Sequence, residues 1–298
     1  MTTTDPIASP SNVNTAGRVL AAVDASTYAP SVAALAGWAA SRLEAELELI
    51  HTIDRESGTA RSDLSGNLSL GSQEELLAEL ADLDERRARL AREHGQTLLE
   101  QLRDEVTQAH GVNARVLQRH GALVDALLDL EPEVRLFVIG KRGEHADFAK
   151  GHLGSNLERV VRAVRRPVLV AARAFRPIQR FLIAYDGSPT TRACVEMVAA
   201  SPLLHGIGCE VLMVGADDDA NRRELAWAVE RLGQAGFQPQ ARIVEGAPDT
   251  VIAAHVERGG IDLLVMGAYG HSRIRAMILG STTTQLLRSC QVPVLLLR

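Results

Sequence analysis

The stretch that decides the fold is Leu-Leu-Val-Met-Gly-Ala-Tyr-Gly at residues 263–270, followed nine residues later by Gly280-Ser281. The apolar run predicts a buried strand and the glycines a loop, while the residues after Ser281 predict a helix with Ser281 as its N-cap. Such a unit presents free backbone N–H groups and the positive end of a helix, which favours phosphate binding. The alternative is that the glycines only form a tight turn and the serine only caps the helix.

The same pattern occurs a second time, in the first half of the chain. Phe-Val-Ile-Gly at 137–140 precedes Gly143, and Gly154-Ser155 follows after ten residues. Both copies then end alike, with Pro-Val-Leu-Val at 167–170 and Pro-Val-Leu-Leu at 293–296. Two copies of one strand–loop–helix–strand unit make a chance match unlikely and predict a duplicated domain.

Length and composition agree with this duplication. The chain has 298 residues, about twice the ~150 residues of a common domain. Its hydrophobic fraction is 46% with only 3% aromatic residues, which is typical of aliphatic cores around buried parallel sheets. A net charge of −5 with mixed signs disfavours nucleic acid as a partner. No apolar run approaches the ~20 residues needed to cross a bilayer, so no membrane partner is expected.

The cysteines and the first residues indicate the compartment. The three cysteines, Cys194, Cys209 and Cys290, are odd in number and lack C-x-x-C spacing, which disfavours a disulfide framework or a zinc site. A reducing, cytoplasmic location is therefore predicted. The first sixteen residues are polar and lack the basic start and apolar core of a signal peptide, so they are expected to form a disordered tail.

Strand and helix patterns alternate along both halves. This alternation predicts two tandem doubly wound α/β domains, each a five-stranded parallel sheet with helices on both faces. The predicted segments are a tail at 1–16, a first domain at 17–173, a linker at 174–179 and a second domain at 180–298.

The two halves differ in length at one place. Asp24 and Asp186 follow the first strands and lie 162 residues apart, whereas Ala114 and Ala241 in the third strands lie only 127 apart. The first half therefore carries 35 additional residues before its third strand. They are assigned to an extended loop and a long helix at 54–110.

The predicted fold places Asp186 beside the glycine loop. In a doubly wound sheet, ligands bind beyond the carboxyl ends of the strands, where strands one and four are neighbours. A carboxylate that can bind hydroxyls would then lie next to a phosphate-binding loop, which predicts a nucleotide pocket. The alternative for Asp24 and Asp186 is a role in initiating a turn. P-loop, G-x-G-x-x-G, H-E-x-x-H and G-x-S-x-G motifs are absent, so no catalytic residue and no metal ligand is predicted.

These residues resemble the universal stress protein (UspA) family. The resemblance rests on Asp24-Ala-Ser, Asp186-Gly-Ser and Gly267-x2-Gly270-x9-Gly280-Ser281, and it covers 17–298 as a tandem member. It implies a fold that, in the ATP-binding members, holds ATP, often with Mg²⁺ or Mn²⁺. For the second domain it implies that Asp186 contacts the adenosine, that the segment from Val211 to Val214 borders the adenine, and that the phosphates lie on Gly267, Gly270, Gly280 and Ser281.

The first domain matches the family pattern less well. Its corresponding residues are Asp24, Gly140, Gly143, Gly154 and Ser155, but ten residues instead of nine separate the second and third glycines. Ser155-Asn-Leu-Glu158 also has capping-box spacing, which would commit the serine to its own helix. Lys141, Arg142 and Lys150 could instead supply charged phosphate contacts. Nucleotide binding is therefore expected in the second domain more than in the first.

Three functions are compatible with the sequence. The first is an ATP-binding, nucleotide-responsive regulatory protein of stress resistance. The second is a slow ATP-hydrolysing or adenylating enzyme. The third is a nucleotide-free scaffold in which the last strands, at 168–172 and 294–297, pair within the chain as a pseudo-dimer. Intrachain domain pairing is expected, whereas homodimer formation and the identity of protein partners are left open.

Overall fold

The computed structural model describes residues 16–53, 70–143, 154–268 and 280–297, with the side chains of 70–78 excepted. Within these ranges strands and helices alternate in both halves. The first half contains β1 (Arg18–Ala22), α1 (Ala29–Leu43), β2 (Leu47–Ile53), α2 (Leu70–His110), β3 (Ala114–His120), α3 (Leu123–Leu130), β4 (Val134–Gly140), α4 (Ser155–Ala163) and β5 (Val168–Ala171). The second contains β6 (Arg180–Tyr185), α5 (Pro189–Ala200), β7 (Gly208–Val214), α6 (Asp219–Gln234), β8 (Gln240–Val244), α7 (Pro248–Arg258), β9 (Leu263–Gly267), α8 (Ser281–Ser289) and β10 (Val294–Leu297). The predicted tail lies outside the described residues except for Ala16.

Each half forms the predicted five-stranded parallel sheet. The strand order is β3-β2-β1-β4-β5 in the first half and β10-β9-β6-β7-β8 in the second. In both halves the chain moves outward in one direction and then returns to the other side of its first strand. The crevices where the strand order reverses therefore lie between β1 and β4 and between β6 and β9.

The helices cover both faces of the sheet, as predicted. One apolar cluster joins α1, α2, α5 and α6 to one face, and a second joins α3, α4, α7 and α8 to the other. The strands between them are built from Leu, Val, Ile and Ala and are mostly buried, with Leu20, Leu169 and Val265 at 0% exposure. Because aliphatic side chains fill the core on both faces of the sheet, few aromatic residues are needed there.

The two sheets join into one sheet of ten strands. β5 and β10 pair antiparallel, with Val170 opposite Val294 and Val168 opposite Leu296. The strands of one half therefore run opposite to those of the other. The carboxyl ends of the strands in the first half therefore point one way along the strand direction, and those in the second half point the other way. The two crevices open at these opposite ends of the continuous sheet.

Side chains also cross the junction between the halves. Lys141, which directly follows β4, is buried, and its ammonium donates to the carbonyl oxygen of Cys290 and, at 3.1 Å, to that of Val292. Both carbonyls follow the C-terminus of α8, where a cation is favoured by the helix dipole. Arg42 at the end of α1 likewise donates to the carbonyls of Leu203 and His205.

Corresponding ion pairs lie at the start of the first strand in each half. Arg18 contacts Glu48 at 2.9 Å, and Arg180 contacts Glu210; each residue of the second pair lies 162 positions after its counterpart in the first. In the second half His255 adds a contact of 2.8 Å between its Nε2 and Glu210. Burial would raise the pKa of Glu210, but the hydrogen bond with His255 and the charge of Arg180 outweigh it and lower the pKa.

The long helix α2 continues unbroken through Gly95. Gly95 is buried where the helix crosses β2 and β3. A Cβ atom built there would lie 2.5 Å from the ring of His51 and 2.2 Å from the amide of Gln118. Because the His51 ring is held by a contact of 3.0 Å between Nδ1 and the Val23 carbonyl, it cannot easily withdraw. The glycine is thus required by close packing of the helix on the sheet.

Replacement of this glycine tests the packing. Gly95→Ala is expected to destabilise the fold by about 1–3 kcal/mol, because the collision with His51 exceeds the gain in helix propensity. Gly233→Ala, in α6, meets no atom within 4 Å and is expected to stabilise by about 0.5 kcal/mol. Chemical denaturation measures both changes. Equal effects of the two substitutions would contradict the close approach at Gly95.

Lys141 predicts a pH dependence of stability. Burial lowers its pKa from 10.5 to about 8, while the thiolate form of Cys290 would raise it. Between these values the unfolded chain binds more protons than the folded one, so stability rises with pH. Relative to Lys141→Met, the parent should gain up to about 3 kcal/mol between pH 8 and 10.5. Denaturation curves of both proteins across this window measure the gain, and a difference that falls with rising pH would refute it.

Candidate functional site

A cavity lies at the carboxyl ends of β6, β7 and β9. Its volume is about 550 Å³. The apolar part of its wall comes mainly from strand residues of the face covered by α7 and α8 and from α7 itself, with two residues at strand ends of the other face: Ala184, Leu212, Val214, Met266, Pro248 and Ile252, then Tyr185 and Met213. The polar part comes from strand ends and helix starts: Asp186, Thr191, Asn221, Ser281, Thr282 and Thr283. The cavity therefore has an apolar floor and a polar rim at the point where the strand order reverses.

Asp186 directly follows β6 and lines this cavity. Its Oδ1 accepts hydrogen bonds from the backbone N–H of Ser188 at 3.0 Å and from the hydroxyl of Thr191 at 2.7 Å. Gly187 between them has a φ of +75°, a conformation that favours glycine. Ser188 then caps α5 by accepting from the N–H of Thr191. Asp186 therefore both forms the turn and lines the cavity, because the hydrogen bonds of the turn hold its carboxylate in place.

Gly267, Gly280 and Ser281 line the same cavity, and β9, which ends at Gly267, is the strand next to β6. The N-cap of α8 is Gly280, not Ser281 as the sequence predicted, and Ser281 is the first helical residue. The hydroxyl of Thr283 donates to the Gly267 carbonyl at 3.2 Å, which ties the first turn of α8 to the end of β9. The first-turn N–H groups of a helix have no partner within it, so they are available to a ligand. Gly270 lies outside the described residues.

Val211 is predicted to border the ligand, but the structure places it away from the cavity. Side chains of a strand alternate between the faces of a sheet. Val211 packs in the cluster under α5 and α6, whereas Leu212 and Val214 face the side of α7 and α8 and line the cavity. Val214 therefore lines the cavity and Val211 does not, while Met213, on the same face as Val211, lines it because it lies nearer the carboxyl end of β7.

Several lining residues were missed by the sequence analysis. Thr191 lies five residues after Asp186 in the same turn and helix start, a position that the Asp-Gly-Ser-Pro-Thr-Thr pattern could have indicated. Asn221 and Ile252 come from α6 and α7, which approach the cavity only through the folding of the chain. No local pattern marks them.

A cluster of aromatic and charged side chains supports the end of β6. Tyr185 stacks on Trp227 with ring centroids 6.4 Å apart, and Arg192 lies over the same indole at 4.8 Å. Arg192 also donates twice to Glu224 at 2.6 Å. Burial, aided by Glu224, raises the pKa of Tyr185 to about 12, so the phenol stays neutral at ordinary pH. This packing holds the strand that ends on Asp186.

The first half brings its predicted residues together as well. The Oδ1 of Asp24 accepts from the N–H of Ser26 at 3.1 Å, so Asp24 also forms a turn. A Cβ on Gly143 would lie 2.9 Å from Asp24 Oδ2, and the N–H of Gly154 donates to the Lys141 carbonyl at 3.1 Å. Gly140 ends β4 next to Tyr28, whose Cβ is 3.1 Å from the position of an added Cβ.

Two expectations for the first half are wrong. Gly154 is the N-cap of α4, and Ser155 is its first residue, so the predicted capping box does not form. The ammonium of Lys141 is bound to the carbonyls after α8, so it is not available for a phosphate. Lys150 lies outside the described residues.

Two features are absent from the described residues. Within those ranges no group of three or more His, Cys, Asp or Glu side chains is placed to hold a metal ion. Within the same ranges no helix combines the length and the apolar character needed to cross a membrane.

Comparison with known proteins identifies the family. The model of the universal stress protein family matches twice, at 15–172 and 177–298. A universal stress protein from Synechocystis sp. is 36% identical over 284 residues, which are 94% of this chain and 99% of the relative. One from Mycolicibacterium smegmatis is 25% identical over 251 residues, covering 74% of this chain and 80% of the relative.

A solved structure shows the same fold over nearly the whole chain. The crystal structure of a universal stress protein from Archaeoglobus fulgidus superposes with a TM-score of 0.69 at 22% identity, covering 95% of this chain and 98% of that one. The duplicated strand order, the double family match and the near full-length relative all agree with the resemblance read from the glycine motif. The chain belongs to the universal stress protein family, as a tandem member with two copies of the domain.

Proposed function

We propose that the second half binds an adenine nucleotide, ATP in the first instance, and that the bound nucleotide regulates the protein in a stress response. One observation carries the proposal. Asp186 and the N-terminus of α8 line the same cavity, together with apolar residues of β7 and β9.

The parts of the cavity match the parts of a nucleotide. Leu212, Val214 and Met266 offer an apolar surface for the base, and Asp186 offers acceptors for ribose hydroxyls. The phosphates would lie at Gly267, Gly280 and Ser281, where helix N–H groups and the helix dipole favour anions. A volume of about 550 Å³ lies within the ~300–1,000 Å³ range of small-molecule sites.

Mg²⁺ or Mn²⁺ would be held mainly by the nucleotide in this arrangement. Asp186 is the single carboxylate among the described residues that line the cavity, and the other oxygen donors are hydroxyls, an amide and backbone carbonyls. Mg²⁺ commonly binds through one or two carboxylates together with substrate phosphates and water. The donor set therefore fits a metal ion that arrives with the phosphates.

The cavity wall supports regulation more than catalysis. Among the described lining residues the titratable side chains are Asp186, which already accepts two hydrogen bonds in its turn, and Tyr185, which burial keeps neutral at ordinary pH; no histidine, lysine, arginine or cysteine of the described residues lines the wall. A bound nucleotide would instead join β6, β9 and α8, so its presence or absence can change the surface that these elements form.

The first half is proposed as a structural partner with little or no nucleotide binding. The loop between Gly143 and Gly154 is one residue longer than the matching loop of the second half. Lys141 is bound to carbonyls of the second half. The antiparallel strands β5 and β10 support the proposal that the two domains, at 17–173 and 180–298, pair within one chain as a pseudo-dimer.

The number of bound nucleotides tests this assignment. Purified protein is denatured, and the released nucleotide is identified and counted per chain. The expected result is one adenine nucleotide in the parent and in Gly154→Val, and none in Gly280→Val. A valine at the N-cap of α8 would occupy space needed by the phosphates, whereas Gly154 is the matching N-cap of α4 in the other half.

Titration of the nucleotide-free proteins with ATP and Mg²⁺ measures how much affinity for ATP each variant loses. Gly280→Val should bind about a hundredfold more weakly, since hydrogen bonds to charged groups contribute about 1.5–3 kcal/mol. Circular dichroism of both variants verifies that they fold. Parent-like affinity in a folded Gly280→Val protein would refute the site, and loss of nucleotide only in Gly154→Val would move it to the first half.

A further inference from the structure

The side chain of Asn221 is held in one orientation at the start of α6. Its Nδ2 donates to the Ala216 carbonyl at 2.8 Å, and its backbone N–H donates to Oδ1 of Asp218 at 2.9 Å. Asp218 is the N-cap of α6, so both bonds fasten the first turn of the helix to the loop that follows β7. The amide of Asn221 cannot rotate without losing its bond to Ala216.

This bond decides which end of the amide is left for a ligand. The Ala216 carbonyl is an acceptor, and it also receives the N–H of Asp218 at 3.0 Å. An amide turned over would place its oxygen against this carbonyl and lose the hydrogen bond. The nitrogen therefore faces Ala216, and the oxygen faces away from it. No donor among the described residues bonds to Asn221 Oδ1.

Asn221 lies just beyond the carboxyl end of β7. A Cβ built on Gly215, which directly follows β7, would lie 3.3 Å from Asn221 Nδ2. Val214, the last residue of β7, lines the cavity, and so does Asn221, which is half-buried. An acceptor without a protein partner is therefore placed where the apolar surface of β7 ends.

The order of the strands sets the order of the ligand groups along the cavity. β9, β6 and β7 are neighbours in that order. In the proposed function, on which this inference rests, the phosphates lie at the start of α8 after β9, the ribose at Asp186 after β6, and the base on Leu212 and Val214 of β7. Asn221 follows β7, so it lies at the base end of this row.

The chemistry of purines makes this position selective. The 6-position lies on the ring that is not bonded to the ribose, so it points away from the sugar. Adenine carries an amino group there, which donates hydrogen bonds, whereas guanine and hypoxanthine carry an oxygen, which accepts them. The oxygen of a side-chain amide only accepts. Asn221 Oδ1 therefore attracts the amino group and repels the oxygen.

We propose that Asn221 selects adenine over guanine and hypoxanthine by accepting a hydrogen bond from the 6-amino group of the base. Asp186 and α8 hold the sugar and phosphates, which keeps the base in one register. A base with an oxygen at the 6-position then leaves two acceptors facing each other without a donor, which costs more than the loss of one hydrogen bond. The bond to Ala216 holds the oxygen in place before the ligand arrives.

Titration with three triphosphates tests this role. ATP, purine riboside triphosphate and inosine triphosphate share the sugar and phosphates, and they carry an amino group, a hydrogen atom and an oxygen at the 6-position. With Mg²⁺ present, the nucleotide-free parent should bind purine riboside triphosphate about fivefold more weakly than ATP. It should bind inosine triphosphate about thirtyfold more weakly than ATP, because acceptors then face each other.

Replacement of Asn221 should remove these preferences. In Asn221→Ala the affinity for ATP should fall about fivefold, while that for purine riboside triphosphate should stay within about twofold of the parent value. Asp218→Ala is the matched control, since it loses two hydrogen bonds at the start of α6, but Asp218 does not line the cavity. It should keep the preferences of the parent. Circular dichroism verifies that both variants fold.

The pattern of affinities separates a role in specificity from a structural one. An equal loss for all three ligands in Asn221→Ala would overturn the proposal, because it would show that the residue only shapes the loop. Loss of the preferences in Asp218→Ala would overturn it for the same reason. A parent that binds ATP without preference at the 6-position would refute the role of Asn221 alone. A parent that binds none of the three would refute the nucleotide site as well.

Discussion

The antiparallel pairing of β5 with β10 is the contact on which the arrangement of the molecule depends. Each of these strands would otherwise be an open edge of a five-stranded sheet, with unpaired N–H and C=O groups beside apolar side chains. Leu169 and Leu295 lie opposite each other and are 0% and 4% exposed. Pairing satisfies both edges at once, and it also orients the two halves in opposite directions.

Helix α8 connects the junction to the candidate site. Its N-terminus, at Gly280 and Ser281, forms a wall of the cavity, and the carbonyls beyond its C-terminus bind Lys141 of the other half. A cation at the C-terminal end and an anion at the N-terminal end both interact favourably with the dipole of one helix. The residue equivalent to Lys141 in the second half is Ala268, which is buried and uncharged. The duplicated halves have thus diverged, so that one half supplies a contact to the C-terminal end of α8 in the other.

Sequence reasoning succeeded where the signal is local and periodic. The apolar runs that end on glycine or aspartate, and the alternation of strands and helices, are sufficient to predict five parallel strands in each half. Asp186, Val214, Gly267, Gly280 and Ser281 line one cavity because each lies at the end of a strand or the start of a helix. Errors arose from finer geometry: Ser281 follows the N-cap, and Val211 faces the opposite side of its strand from Val214.

The sequence by itself determined the order of the elements, the duplication and the placement of an acidic turn and a glycine loop at strand ends. These properties depend on residues close together in the chain, whose spacing reflects the 3.6-residue period of a helix and the two-residue period of a strand. The tertiary structure alone decided which distant groups meet. Asn221 and Ile252 reach the cavity from separate helices. The ammonium of Lys141 donates hydrogen bonds to the carbonyls of residues that lie 149 and 151 positions later in the chain. Such contacts are set by the packing of whole elements against the sheet, and no local pattern of residues encodes them.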